Sequence, residues 1–221
     1  MSLAKKITYA LENPYEKRVS IAIFIIWLFM GSAMIGISFG FESFFVPKTP
    51  LNLMVQTALF FWVAQFKSLK TWLAAVAVFS IGVGIEWIGI HTGFPFGEYS
   101  YGENLGFKLD GVPYLIGVNW LMLSWAAHSL VERIKLNALL KAMLAASILV
   151  IFDFPMEVVA PKFDFWTFSS AAPWNNYLAW GIVAVVMQLI IQATNKRLNY
   201  SFSLNYLLSQ ILFFSYFALV L

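Results

Sequence analysis

Seven runs of helix length, each nearly free of charge, occupy most of the 221-residue chain and leave it few folds to choose from. A bilayer-spanning helix needs about 20 mainly apolar residues, within a range of about 17 to 25. The runs fall at 19–40, 50–66, 70–91, 112–131, 137–157, 174–194 and 202–221. The second is the weakest, because it is short and carries Asn52 and Gln56; if it did not cross, the topology after it would invert. Charged residues make up only 11% of the chain, against about 25% in soluble domains. The sequence therefore predicts an all-α, polytopic bundle of about seven transmembrane helices, a multi-pass protein of the cell membrane in contact with lipid.

Basic residues collect on the cytoplasmic side of membrane proteins. With the N-terminus inside, that side holds Lys5, Lys6, Lys17, Arg18, Lys67, Lys70, Arg133, Lys135, Lys141, Lys196 and Arg197, and the other holds Lys48, Lys108 and Lys162. The bias predicts a cytoplasmic N-terminal segment over 1–18 and a single transmembrane domain over 19–221, with the C-terminus outside. It puts two long polar loops, 92–111 and 158–173, on the same outer face. Residues 1–18 are too polar and acidic to begin a signal peptide, so the run after them reads as a retained span. Single or paired Lys and Arg beside apolar runs give no nucleic-acid footprint.

Acids inside such runs demand a reason. A mid-membrane carboxylate costs about 2.5 to 3.5 kcal/mol on insertion scales, so it normally faces the bundle interior and marks a function. Glu86 lies in the third run, and Asp153 and Glu157 lie near the end of the fifth, in "IFDFPMEVVAP". Counted from Lys70 and Asn137, Glu86 and Asp153 are both 16 residues along, a common depth of about 24 Å. Gly82, Glu86, Gly89 and Gly93 share one helical stripe, which predicts close packing of a neighbour around the carboxylate. Pro155 is expected to end or kink the fifth helix. A carboxyl group in apolar surroundings near a like charge can serve as a proton donor. The alternative for Glu86 is a static bond to Asn119, a Trp ring N–H or backbone. Glu42 reads as a solvated interfacial acid, and Asp110, in "KLDGVP", as a turn former.

The outer loops are rich in rings, "HTGFPFGEYSYG" and "KFDFWTFSSAAPWNNY", beside the acids. Aromatic faces stabilise cations, by about 2 kcal/mol or more when desolvated. Acids with an aromatic lining suit a carbocation. With only His91 and His128 and no cysteine, the chain is poor in metal ligands, and no metal site is expected. The seventh run has no lysine to carry a retinal Schiff base, and "GVGIEW" lacks the strand and spacing of a dinucleotide loop.

"EWIGIHTGFPFGEYSYGENLGFKLDGVPYLIGVNW" and "DFPMEVVAPKFDFWTFSSAAPWNNYLAW" resemble the membrane carotenoid biosynthesis family that includes gamma-carotene 1'-hydratases and bisanhydrobacterioruberin hydratases. The resemblance covers about residues 80 to 180. Glu86, Gly93, Pro95, Phe96, Gly97, Tyr99, Tyr101, Gly111, Pro113 and Trp120 match the first block, and Asp153, Pro155, Glu157, Trp166, Pro173, Asn176 and Trp180 the second. Phe168 stands where a second tryptophan is expected, and a proline expected near Gly117 is absent. The resemblance implies cofactor-independent addition of water to a terminal C=C of an acyclic or monocyclic carotenoid. Glu86, Asp153 and Glu157 are the implied catalytic set. Glu86 or Asp153 donates the proton and the other activates water, with the order left open. Trp87, Phe96, Tyr99, Tyr101, Asn119, Trp120, Trp166 and Asn176 are the implied substrate-binding set. Membrane lipids and other enzymes of the carotenoid pathway are the further expected partners. Two other functions use the same residues: an acid-catalysed carotenoid cyclase or isomerase, and a carotenoid-binding or transport protein.

Overall fold

The computed structural model describes residues 13–170 and 172–221. Residues 1–12 of the expected N-terminal segment, with Lys5 and Lys6, lie outside the described residues. The chain is mostly helical: α1 (Pro14–Ser38), α2 (Thr49–Ala64), α3 (Leu69–Thr92), α4 (Tyr114–Val131), α5 (Ala138–Val159), α6 (Trp174–Gln192) and α7 (Tyr200–Val220). Six of these helices are long and apolar enough to cross a membrane. The exception is α2, which has 16 residues, about 24 Å of helix, and is preceded by a helical turn at Glu42–Phe45 and a 3-10 turn at Val46–Lys48.

Helix starts follow the chemistry of their ends. Asn13, Ser68, Asn137 and Asn199 cap α1, α3, α5 and α7 by accepting first-turn N–H groups. The helices that begin at the opposite end, α2, α4 and α6, use no side-chain cap and have Pro50, Pro113 and Pro173 at or beside the start. Proline suits that position because the missing N–H would be unsatisfied there in any case. The helix α4 is central, packing against α2, α3, α5, α6 and α7, while α1 lies at the edge against α2 and α7.

Two features depart from the sequence reading. Of the two outcomes expected at Pro155, an end or a kink, the end does not occur: helix α5 runs through Pro155 to Val159, and Glu157 in its last turn is tied to Asn176 of α6. The loops are not wholly irregular, because Tyr99–Tyr101 (β1) pairs antiparallel with Trp166–Phe168 (β4), and Lys108–Leu109 (β2) with Val112–Pro113 (β3). The first pairing joins the two long loops. Gly102 N–H donates to Phe165 O and Glu103 N–H to Asp164 Oδ2, extending the seam beyond the strands.

Candidate active site

The strand pairing sets Tyr99 opposite Phe168 and Tyr101 opposite Trp166. Side chains alternate across a strand, so these four rings fall on one face, with Ser100 and Thr167 on the other. The aromatic face covers the end of the bundle where Glu86 and Glu157 lie.

Glu86 is buried on α3, 3% exposed, and accepts three side-chain hydrogen bonds. Its Oε2 takes the hydroxyls of Tyr99 (2.6 Å) and Tyr101 (2.7 Å), and its Oε1 takes the indole N–H of Trp120 (3.0 Å). Three donors from two loop tyrosines and α4 thus converge on one carboxyl group and fix its position. Burial, followed by the adjacent Glu86 charge, pushes the phenols of Tyr99 and Tyr101 above the ordinary tyrosine value, so both remain donors at neutral pH. Trp120 is fixed from behind by stacking on Trp180, with ring centroids 3.9 Å apart.

The glycine stripe is what lets these groups approach. A Cβ on Gly89 would lie 2.5 Å from the Tyr99 hydroxyl oxygen, and one on Gly82 3.0 Å from Trp120 Cβ. Gly93 closes α3 with φ 71°, a left-handed conformation that glycine adopts without strain, and turns the chain back toward Glu86. Gly89→Val is therefore expected to destabilise the protein by about 1 to 3 kcal/mol through overpacking, read as an earlier thermal unfolding in detergent.

Glu157, half-buried on α5, faces the same hollow. Its Oε2 accepts from Trp166 Nε1 at 3.0 Å and its Oε1 from Asn176 Nδ2 at 3.1 Å. The same Asn176 amide reaches Asp153 Oδ2 at 3.3 Å. Asp153 is wholly buried, and its Oδ1 takes no hydrogen bond among the described residues. It does not line the hollow, and Asn176 stands between.

The hollow has a volume of about 20 Å³, room for one water molecule. It joins two larger spaces through shared walls. Ile116 and Trp166 separate it from a cleft of about 410 Å³ lined largely by apolar side chains such as Phe152, Met156, Phe163, Phe213 and Phe214. Leu28 and Leu51, half-exposed, mark that cleft's opening at the bundle surface. On the other side, Tyr99 and Phe168 separate the hollow from an open groove bearing Glu98, Ser100, Thr167 and Ser169. An apolar approach and a polar one thus meet at two carboxyl groups.

Of the residues singled out in the sequence, Glu86, Glu157, Phe96, Tyr99, Tyr101, Trp166 and Asn176 line the hollow. Trp120 contacts it through Glu86, and Asn119 lines the apolar cleft instead. Trp87 is elsewhere: it is 45% exposed and donates to Asp110 Oδ2 at 2.7 Å. Asp110 is indeed at a turn, with φ 49°, and also meets His91 Nε2 at 3.4 Å. Ile116, Phe168 and Trp180 also line the hollow, and none of the three is in the substrate-binding set read from the sequence. Among the described residues no cluster of His, Cys, Asp and Glu could hold a metal ion.

The family described as carotenoid biosynthesis protein matches residues 49–221, which include every residue of this site. The chain belongs to that family. Among curated relatives, this carotenoid biosynthesis protein is 32% identical over 127 residues to the bisanhydrobacterioruberin hydratase of Haloarcula japonica. The match covers 52% of the chain and 43% of that hydratase, so the two are alike over less than half the relative's length. No solved structure matches the chain.

Proposed function

We propose that the protein is a carotenoid hydratase that adds water across the terminal C=C of an acyclic carotenoid end and leaves a tertiary alcohol. The observation that carries this reading is the meeting of Glu86 and Glu157 at a one-water hollow, walled by rings and placed at the end of an apolar cleft. The polyene enters from lipid past Leu28 and Leu51, and its tip displaces Ile116 or Trp166 to reach the carboxyl groups. Water arrives by the groove beside Tyr99.

In the proposed cycle, Glu157 gives its proton to the less substituted alkene carbon, and a tertiary cation forms at the other. Trp166 and Tyr101 present rings to that cation, and the Glu86 carboxylate, fixed by its three donors, opposes its charge. A water oxygen then bonds to the cationic carbon while Glu86 takes one of its protons. Proton return from Glu86 to Glu157 restores the start, with one water consumed and no cofactor required. Glu157 takes the donor role in place of Asp153 because Asp153 does not line the hollow; Asp153 acts through Asn176 as a positioning residue.

The test is isotopic. Turnover in oxygen-18 water is expected to place one labelled oxygen per hydrated end, and turnover in D2O one new C–D bond on the neighbouring carbon. A product that has gained deuterium but no oxygen would identify a cyclase or isomerase and remove the hydratase reading. A pigment unchanged in mass would leave only carotenoid binding or transport.

We also propose seven crossings in one domain over 19–221 of the cell membrane, with the N-terminus cytoplasmic, the site near the outer face, and lipids and carotenoid-pathway enzymes as neighbours. Because the chain has no cysteine, single cysteines report topology without background. Ser169→Cys is expected to react with a membrane-impermeant maleimide in intact cells, and Lys135→Cys only after lysis. The opposite pattern would invert the orientation.

A further inference from the structure

The rings that line the one-water hollow are not held equally. Tyr99 and Tyr101 are tied to Glu86 through their hydroxyls, and Trp166 is tied to Glu157 through its indole N–H. Trp180 stacks on Trp120, and Phe96 is 1% exposed. Phe168 differs from all of these. Its side chain has no hydrogen-bonding group, it is half-buried, and it meets Tyr99 in a tilted contact with ring centroids 5.2 Å apart.

Phe168 also stands on a boundary. With Tyr99 it lines both the hollow and the open groove, a space of about 380 Å³ whose other walls are Glu98, Ser100, Thr167 and Ser169. Water in that groove is one ring away from Glu86 and Glu157. Tyr99 can leave the wall only by breaking its 2.6 Å hydrogen bond to Glu86. Phe168 gives up packing alone, so it is the member of the wall that moves at the smaller cost.

What passes that wall matters because a tertiary cation beside Glu86 has two exits. In the first, a water oxygen bonds to the cationic carbon while Glu86 takes a proton from the water, and an alcohol results. In the second, Glu86 takes a proton from a neighbouring carbon, the electron pair of that C–H bond closes a C=C, and an alkene leaves without gaining oxygen. Both exits use the same base. Admission of water to the hollow therefore decides between them.

We propose that Phe168 is the residue that determines the product: it meters entry from the groove, admits one water to the cation and excludes any larger nucleophile. That the admitted water normally captures the cation rests on the hydratase reading; control of entry by Phe168 does not.

The test offers an acyclic carotenoid in liposomes to the full chain in deuterated, oxygen-18-labelled water containing dilute methanol. Three products are counted by mass: labelled alcohol, deuterated alkene without new oxygen, and tertiary methyl ether. The wild-type protein is expected to form alcohol and no ether. Phe168→Ala should open the hollow to methanol, whose oxygen bonds to the cation while Glu86 takes its proton, so that ether appears. Phe168→Trp should obstruct entry and raise the ratio of deuterated alkene to alcohol by about threefold to tenfold. Because each ratio is taken within one reaction, a loss of folded protein lowers all products together and leaves it unchanged. Three proteins with one ratio and no ether overturn the proposal while leaving hydration intact, even where total turnover falls. If the wild type gains deuterium and no oxygen, the hydratase reading fails; the gate then stands if Phe168→Ala begins to yield labelled alcohol or ether, and falls if it does not. Absence of both labels from all three proteins removes both. Should Phe168→Ala fail to insert, Phe168→Leu takes its place with the same expected outcome.

Discussion

Glu86→Gln is expected to yield a folded, membrane-inserted protein that hydrates its substrate about a thousandfold more slowly, within the range for loss of an acid–base group. The fold should survive because the new amide can still be satisfied. Trp120 Nε1 can only donate, so it orients the carbonyl of the introduced amide toward itself, where Oε1 of Glu86 now accepts it. The amide NH2 then faces Tyr99 and Tyr101, whose hydroxyls can rotate to accept. What cannot be replaced is the negative charge opposite the cation and the site that takes the water proton. Thermal unfolding in detergent should move little, while the mass gain of one water in the pigment disappears. Full hydration by the Glu86→Gln protein would remove Glu86 from the mechanism.

Much of this site was legible because helix geometry is regular. The spacing of Gly82, Glu86, Gly89 and Gly93 fixes a single face, and that face does meet Trp120, Phe96 and Tyr99. The same regularity explains why Trp87 does not line the hollow. One residue along a helix is a rotation of about 100°, which carries Trp87 away from Glu86 toward Asp110 and the surface. Asp153 and Glu157 share a face at a spacing of four and both meet Asn176, but only tertiary packing decides which acid reaches the hollow, and it is Glu157.

The remainder depended on pairings with no local signal. "YSY" and "WTF" alternate as strands do, yet they are too short to be read as strands alone, and each becomes one only through its partner about 67 residues away. Gln56 and Gln210 are farther apart still, and in the sequence each is merely a polar residue weakening an apolar run. Each of the seven helix-length runs coincides with a helix, but the 16 residues of α2 keep it apart from the six that qualify as spans by length and composition.

Comparing Glu157→Gln with Asp153→Asn separates the proton donor from the group behind it. Glu157 faces the hollow and holds both of its oxygens toward single donors, Trp166 and Asn176, leaving each oxygen free to carry a proton. Removing that proton should slow hydration by about a hundredfold to ten-thousandfold. Asp153 meets the site only through the 3.3 Å contact to Asn176, so Asp153→Asn should cost about tenfold or less, the scale of one hydrogen bond. The second readout is the pH profile of kcat. A proton donor lost at Glu157 removes the limb on which the rate falls as pH rises, because no group remains there to deprotonate; a positioning change at Asp153 lowers the whole profile and keeps its shape. If Asp153→Asn instead abolishes turnover in a folded protein and erases that limb, while Glu157→Gln is mild, the proton reaches the alkene from Asp153 and Asn176 must swing aside to let it pass.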